Sequence, residues 1–70
     1  MKYREVTNKL IELGCKEIQR RGSGSHRKWH NPATRKIVPV PDWGSKDIKK
    51  GTLRHIIRQL GLDWENFKSC

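Results

Sequence analysis

The sequence has seventy residues, of which 33% are apolar, and a chain this short buries only about 60% of the surface that it exposes when unfolded. We therefore expect one small domain over residues 1–70 with a thin core, which excludes two-domain enzymes and large cofactor folds. Sixteen Lys and Arg against seven Asp and Glu give a formal net charge of +9. Such a charge favours RNA, DNA or an acidic protein surface as the partner, over a surface that is merely well solvated.

The expected compartment is the cytoplasm. No long stretch of the sequence lacks polar side chains, so neither a membrane span nor a secretory signal is predicted. Cys15 and Cys70 are too few for a disulfide framework and lack the CxxC spacing, which indicates a reducing environment. We expect Cys15 to be a small buried residue and Cys70 to be an exposed thiol near a frayed end.

The first predicted element is an amphipathic helix over residues 3 to 13. Val6, Leu10 and Leu13 follow one another at four- and three-residue spacing and form one apolar stripe. Gly14 comes directly after the last of them, and a glycine at this position commonly ends a helix.

Three strands are predicted to follow. Residues 15 to 21 are too polar for a buried helix and indicate a half-exposed strand, and a glycine-containing turn at residues 22 to 24 leads into a second strand at residues 25 to 30. After a further turn, residues 37 to 40 have the composition of a third strand. Pro39 cannot donate a hydrogen bond to a neighbouring strand, so the third strand is expected at a sheet edge.

A loop over residues 41 to 50, which contains Trp43, precedes the clearest helix of the chain. That helix is predicted from four apolar residues at i, i+3, i+4 and i+7: Leu53, Ile56, Ile57 and Leu60. Gly61 ends it, and Asp63 is placed to cap one further turn over residues 64 to 67. The predicted fold class is α+β, helix-strand-strand-strand-helix, with a three-stranded antiparallel sheet and both helices on one face.

The second strand carries the candidate chemistry, because its side chains alternate between the two faces of the sheet. If Trp29 points to the helices, Ser25 and Arg27 share its side. Three side chains then point to the uncovered face: His26, Lys28 and His30.

An imidazole beside an ammonium group on an open surface suits RNA cleavage. Histidine is present in both neutral and protonated forms near pH 7, so it can take a proton from one oxygen and give one to another. The ribose 2′-hydroxyl lies next to the scissile phosphate, so a base and a cation suffice and no metal is required. We expect His26 to be the acid or base, with Lys28, Arg27 or Arg20 as candidate cations; the alternative is that His26 is an ordinary solvated residue.

The glycines before His26 also have two interpretations. Gly22 and Gly24 either form the tight turn of an ordinary hairpin or allow close approach of an RNA backbone to the chain. The sequence alone favours the plain turn.

Four segments together resemble the HicA family of toxins from toxin–antitoxin modules, also called the YcfA-like family. They are residues 21 to 29 with Gly24-Ser25-His26, residues 38 to 41, residues 49 to 53 with Lys50-Gly51-Thr52-Leu53, and residues 56 to 62. The resemblance spans residues 2 to about 62. It implies a fold similar to the double-stranded-RNA-binding domain, and a toxin that cuts messenger RNA as an endoribonuclease and is inhibited by a HicB antitoxin protein.

The resemblance assigns the active histidine to His26 and the motif glycine to Gly24. No second catalytic residue and no metal or cofactor is implied. The RNA-binding residues that we expect around His26 are Gly24, Ser25, Arg20, Arg21, Arg27, Lys28 and Lys50. Residues 63 to 70 lie outside the common pattern and are expected to be a C-terminal extension with a packing role.

Three alternatives stay open on the sequence alone. The first is a non-catalytic RNA-binding module and the second is a pure interaction domain for an acidic antitoxin. The third, with less support, is a metal protein. The candidate metal ligands would be Cys15, His26, His30 and His55, which lack the spacing of known ligand pairs. Trp43 is expected to close over the edge of the core or to lie in the antitoxin interface, with base stacking as the other possibility.

Overall fold

The computed structural model describes residues 1–18 and 26–70, and for His26 it describes the backbone alone. The elements in chain order are α1 (Tyr3–Glu12), β1 (Lys16–Glu17), β2 (His26–Asn31), β3 (Lys36–Pro41), α2 (Lys50–Gln59) and α3 (Trp64–Ser69). The strands form an antiparallel sheet in the order β1-β2-β3. The predicted α+β layout is confirmed, and the turn expected at residues 22 to 24 lies outside the described residues.

Helix α1 forms where the apolar stripe predicted it. Val6 and Leu10 are completely buried, and Leu13 packs against the core from its edge. At the start of α1 the Lys2 backbone N–H donates to Glu5 Oε1 at 3.1 Å, which satisfies one of the donors that a helix start leaves without a partner. Gly14 follows the helix with a φ of +90°, a conformation that favours glycine.

The sheet has one covered and one open face. Trp29 of β2 is opposite Val38 of β3 and both are buried, whereas the next pair, Lys28 and Pro39, is exposed. This alternation confirms that Trp29 points to the helices and that Lys28 lies on the uncovered face. His30 is half-buried opposite the exposed Ile37.

The free edge of β3 offers few hydrogen-bond donors. Lys28 directs its carbonyl to β1, where it accepts from the Ile18 N–H at 2.9 Å, so the backbone of Pro39, its partner in β3, points away from β2. Pro41, two residues further along, has the same orientation. Neither proline has an N–H, so the prediction of an edge strand is confirmed.

Helices α2 and α3 close the core. The buried apolar residues of the chain come from every part of the described fold: Val6, Leu10, Cys15, Trp29, Val38, Val40, Ile48, Leu53, Ile56, Ile57, Leu60 and Phe67. Asp63 caps α3 by accepting from the Asn66 N–H, as predicted, and α3 continues to Ser69 rather than ending at Phe67. The predicted loop over residues 41 to 50 is shorter than expected, because Pro41 completes β3 and Lys50 begins α2.

The turn between β2 and β3 is tied to the end of α2. The buried Asn31 side chain donates to the Leu60 carbonyl at 2.8 Å and accepts from the Ala33 N–H. Thr34 Oγ1 donates to the same carbonyl at 2.9 Å. These bonds satisfy a carbonyl that the helix end would otherwise leave without a partner, and they hold the hairpin against the helix.

Lys9 of α1 caps the last turn of α3. Its Nζ donates to the carbonyls of Phe67, Lys68 and Cys70 at 3.3, 3.1 and 2.9 Å, and it lies 5.6 Å from the centre of the Phe67 ring. A cation is favoured at a helix C-terminus.

Lys9→Met should therefore lower the free energy of unfolding by about 1–2 kcal/mol in urea titration. The exposed Lys46→Met should change it by less than about 0.5 kcal/mol, and equal losses in the two variants would contradict the cap.

Candidate nucleic-acid interface

The start of β2 and the start of α2 are connected through Pro41 at the end of β3, although 24 positions separate residues 26 and 50 in the printed numbering. The backbone of His26 pairs with Pro41. Pro41 in turn lines a groove together with Thr52 and His55 of α2. Pro41 therefore links the two sequence segments that carried the family resemblance: it pairs with His26 and shares a groove with residues that follow Lys50.

The groove that joins them runs along the free edge of β3 and has a volume of about 450 Å³. We call it the β3–α2 groove, and it is lined by Ile37, Val38, Pro39, Pro41, Trp43, Thr52, His55, Ile56 and Gln59. Ile37 and Trp43 keep 55% and 40% of their surface exposed. Trp43 lines this groove, and its place in an antitoxin interface or in base stacking stays a prediction.

The N-terminal end of α2 is strongly cationic. Lys49 is the N-cap and Lys50 the first helical residue, the first turn contains no acidic residue, and no side chain caps it. Lysines at this end oppose the helix dipole, so the end favours an anion. Gly51 follows, and a Cβ at this position would meet no atom within 4 Å, which leaves the helical backbone open to close approach.

Arg27 is already engaged by two carboxylates. Its Nε donates to Asp42 Oδ2 at 3.1 Å and its Nη1 to Glu17 Oε2 at 3.3 Å. The hydrogen bond that Arg27 donates to Glu17, followed by the one that it donates to Asp42, raises the pKa of the Arg27 guanidinium. The role of Arg27 in binding RNA stays a prediction, and these ion pairs favour a role in joining β1, β2 and the loop after β3.

Tyr3 lies beside the same group. Trp29 Nε1 donates to Tyr3 Oη at 3.2 Å, and burial raises the pKa of the Tyr3 phenol. Burial also raises the pKa of the Cys15 thiol, which is 2% exposed, so Cys15 stays protonated and belongs to the core as expected. Cys70 is exposed.

Several predicted site residues cannot be placed in this interface. Arg20, Arg21, Gly24 and Ser25 lie outside the described residues, as does the side chain of His26. Lys28 is exposed on the open sheet face. Within the described part of the chain, no three His, Cys, Asp or Glu side chains are grouped closely enough to hold a metal ion.

His55 is the residue of this region that sequence reasoning considered only as a metal ligand. It is exposed on α2, one position after Arg54, and lines the β3–α2 groove opposite Pro41. Nothing in the sequence marks it, because its place beside the pairing partner of His26 depends on how α2 packs against β3.

A family model described as the HicA toxin of bacterial toxin-antitoxin matches residues 3–62. The chain belongs to the HicA toxin family. No curated protein and no solved structure matches it. Membership in this family makes the chain a toxin of a toxin–antitoxin pair, so that an antitoxin is implied as its partner.

The HicA match ends before α3 begins, so α3 is built by residues beyond the matched segment. Phe67 of α3 is nevertheless completely buried, which agrees with the expected packing role of residues 63 to 70. Among the described residues, no helix is long and apolar enough to cross a membrane.

Proposed function

We propose that this HicA toxin is a metal-independent endoribonuclease that cleaves messenger RNA in the cytoplasm, with His26 as the general acid/base. The observation that carries the proposal is that Pro41, the backbone partner of His26, lines one groove with Thr52, which follows the cationic Lys50 by two residues at the start of α2. Membership in a toxin family and the net charge of +9 agree with an RNA substrate.

The proposed step needs only one imidazole and fixed positive charge. His26 takes the proton of a ribose 2′-hydroxyl, the 2′-oxygen bonds to the adjacent phosphorus, and the bond from phosphorus to the 5′-oxygen breaks. The protonated imidazole of His26 returns the proton to the leaving 5′-oxygen, and the other product ends in a 2′,3′-cyclic phosphate. Lys28 and Lys50 are the described cations that we assign to the phosphate charge.

The remaining predicted contacts belong to the same proposal. Arg20, Arg21, Gly24 and Ser25 are proposed to hold the RNA backbone next to His26, with Arg27 supporting the strand through Glu17 and Asp42. We further propose that the antitoxin is HicB-like and covers the β3–α2 groove, where the exposed Ile37 and Trp43 supply apolar contact area.

Cleavage of a purified messenger RNA, alone and in a cell-free translation mixture, tests the reaction. We expect cleavage to continue in excess EDTA, because no step uses a metal. A single 2′-deoxy substitution at the cut site should abolish cleavage at that site and leave other sites unaffected, and the new 5′ ends should carry hydroxyl groups.

Two results would contradict the proposal. If EDTA stops cleavage and magnesium restores it, the mechanism is metal-dependent. If the RNA is bound but left intact in both settings, the chain is an RNA-binding module without catalysis, the alternative that its fold and charge also allow.

A further inference from the structure

A second groove lies between α2 and α3 and is separate from the β3–α2 groove. It has a volume of about 650 Å³ and is lined by Gly51, Arg54, His55, Ile57, Arg58, Gly61, Leu62 and Trp64. We call it the α2–α3 groove. Trp64 lies beyond the segment that matches the HicA family, so this wall of the groove is supplied by the chain's own C-terminal extension.

The α2–α3 groove is cationic. Arg54 and Arg58 are four residues apart on α2 and so lie on one face of the helix. No acidic side chain is among the lining residues, and within the described part of the chain neither arginine forms an ion pair. Two like charges at this spacing destabilise a helix slightly, and a bound anion would remove that cost.

Arg54 is held in position by an aromatic stack. Its guanidinium carbon lies 5.3 Å from the centre of the Trp64 ring, and Trp64 stacks on the completely buried Phe67 at 5.7 Å and 22°. Stacking orders the planar guanidinium and leaves the N–H groups at its rim available for two oxygens of one phosphate. Ile57 and Leu62 add an apolar floor beside it.

We propose that the α2–α3 groove binds the phosphodiester backbone of single-stranded RNA, at a nucleotide outside the cleaved bond. Arg54 and Arg58 contact the phosphate oxygens. The inference rests on the proposed function, since it extends the binding of the same RNA substrate.

The position of His55 favours RNA over an acidic peptide as the occupant. His55 lines both grooves, and the β3–α2 groove also contains Pro41, the backbone partner of His26. A strand that lies at the start of β2 therefore reaches Arg54 and Arg58 by continuing past His55. An acidic peptide would also pair with the two arginines. Only an RNA strand, however, would have a reason to extend from the proposed cleavage site to this groove.

Binding of a fluorescently labelled, fully 2′-O-methylated RNA tests the groove, because this probe lacks the hydroxyl that cleavage requires. We expect Arg54→Gln combined with Arg58→Gln to raise its Kd about 10- to 30-fold. The plot of log K against log salt should become less steep by about 1.4, as expected for the loss of two phosphate contacts on a single strand. The Tm of the variant should fall by less than about 8 °C, because both side chains are exposed and only the stack of Arg54 on Trp64 is lost.

Two control variants separate the groove from the overall charge. Arg4→Gln combined with Lys46→Gln removes the same charge from exposed positions that do not line the groove, and we expect a change in Kd below about threefold. Arg54→Lys combined with Arg58→Lys keeps the charge but loses the planar stacked group, and should raise Kd at least about threefold. Equal Kd values for the two Gln pairs would overturn the proposal.

A labelled poly-glutamate peptide and the cleavage assay complete the test. If the Arg54/Arg58 Gln pair weakens the peptide and not the RNA, the groove serves an acidic protein and the RNA proposal is wrong. If the Arg54/Arg58 Gln pair still cleaves RNA and binds it with unaltered affinity, only the proposal for the α2–α3 groove is wrong. If the unaltered chain binds RNA but does not cleave it, the catalytic proposal is wrong and the groove proposal remains supported.

Discussion

His26→Ala is expected to reduce RNA cleavage by about 10²- to 10⁴-fold, the usual contribution of a positioned general acid/base, and to change RNA affinity by less than about threefold. The reason is that the imidazole acts on the proton of the attacking hydroxyl, while fixed cations such as Lys28 and Lys50 hold the phosphates. Initial rates on a short RNA, together with the Kd for its 2′-O-methyl analogue, measure the two effects separately. In a bacterium, expression of the variant should leave growth and transcripts intact where the unaltered chain arrests growth.

His30→Ala is the matched control, because His30 occupies the same strand, opposite Ile37. We expect it to keep cleavage within about threefold of the unaltered rate, since the proposed mechanism assigns it no proton. If His26→Ala cleaves as fast as His30→Ala, the general acid/base is a different residue and the assignment from the HicA motif is wrong.

Gly61→Ala is expected to lower stability more than a Gly→Ala substitution at any other glycine that the structure describes. Gly61 follows α2 with a φ of +72°, and a Cβ there would lie 2.6 Å from Thr34 Cγ2. A side chain in the left-handed region costs about 1–2 kcal/mol, and forced overpacking costs about 1–3 kcal/mol more. We therefore expect the free energy of unfolding to fall by about 2–5 kcal/mol, measured by urea titration, with a drop in Tm of more than about 10 °C.

The cost of the contact with Thr34 can be separated from the cost of the backbone conformation at position 61. This requires removing only the Thr34 methyl group that the new Cβ would meet. Thr34→Ser deletes Cγ2 and keeps the hydroxyl that donates to the Leu60 carbonyl. Gly61→Ala should therefore cost less when it is combined with Thr34→Ser than when Thr34 is retained. Gly14→Ala, at a φ of +90° with no atom within 4 Å of its Cβ, should show the backbone cost alone; a loss equal to that of Gly61→Ala would contradict the role of Thr34.

The helices and the edge strand were predictable because each depends on local sequence. Val6 and Leu10 reveal α1 through their spacing, and the Leu53 to Leu60 set does the same for α2, since a helix that packs on a sheet must bury one stripe. Pro39 predicted that β3 lies at the sheet edge, because a proline has no N–H to donate to a neighbouring strand in any sheet. Asp63 likewise predicted the start of α3 from its cap.

Other features depend on the packing of distant segments and leave no local pattern. Ile48 is the one large apolar residue between Trp43 and Leu53, yet it is 2% exposed, and its N–H donates to the Met1 carbonyl at 2.8 Å. The ion pairs of Arg27 and the position of Arg54 over Trp64 arise in the same way. For the site, the motif indicated which residues to consider, but only the fold brings His55 beside the partner of His26.

The two prolines on the outer edge of β3 constrain how an inhibitor recognises this toxin. A protein that tried to extend the sheet would find no N–H at Pro39 or Pro41, so most of the ladder that rewards strand addition is missing. An antitoxin that covers the β3–α2 groove, as we propose, would have to recognise side chains such as Ile37 and Trp43 instead. Recognition by side chains is more sensitive to substitution than backbone pairing, so we expect the proposed antitoxin to distinguish between toxins that differ at these positions.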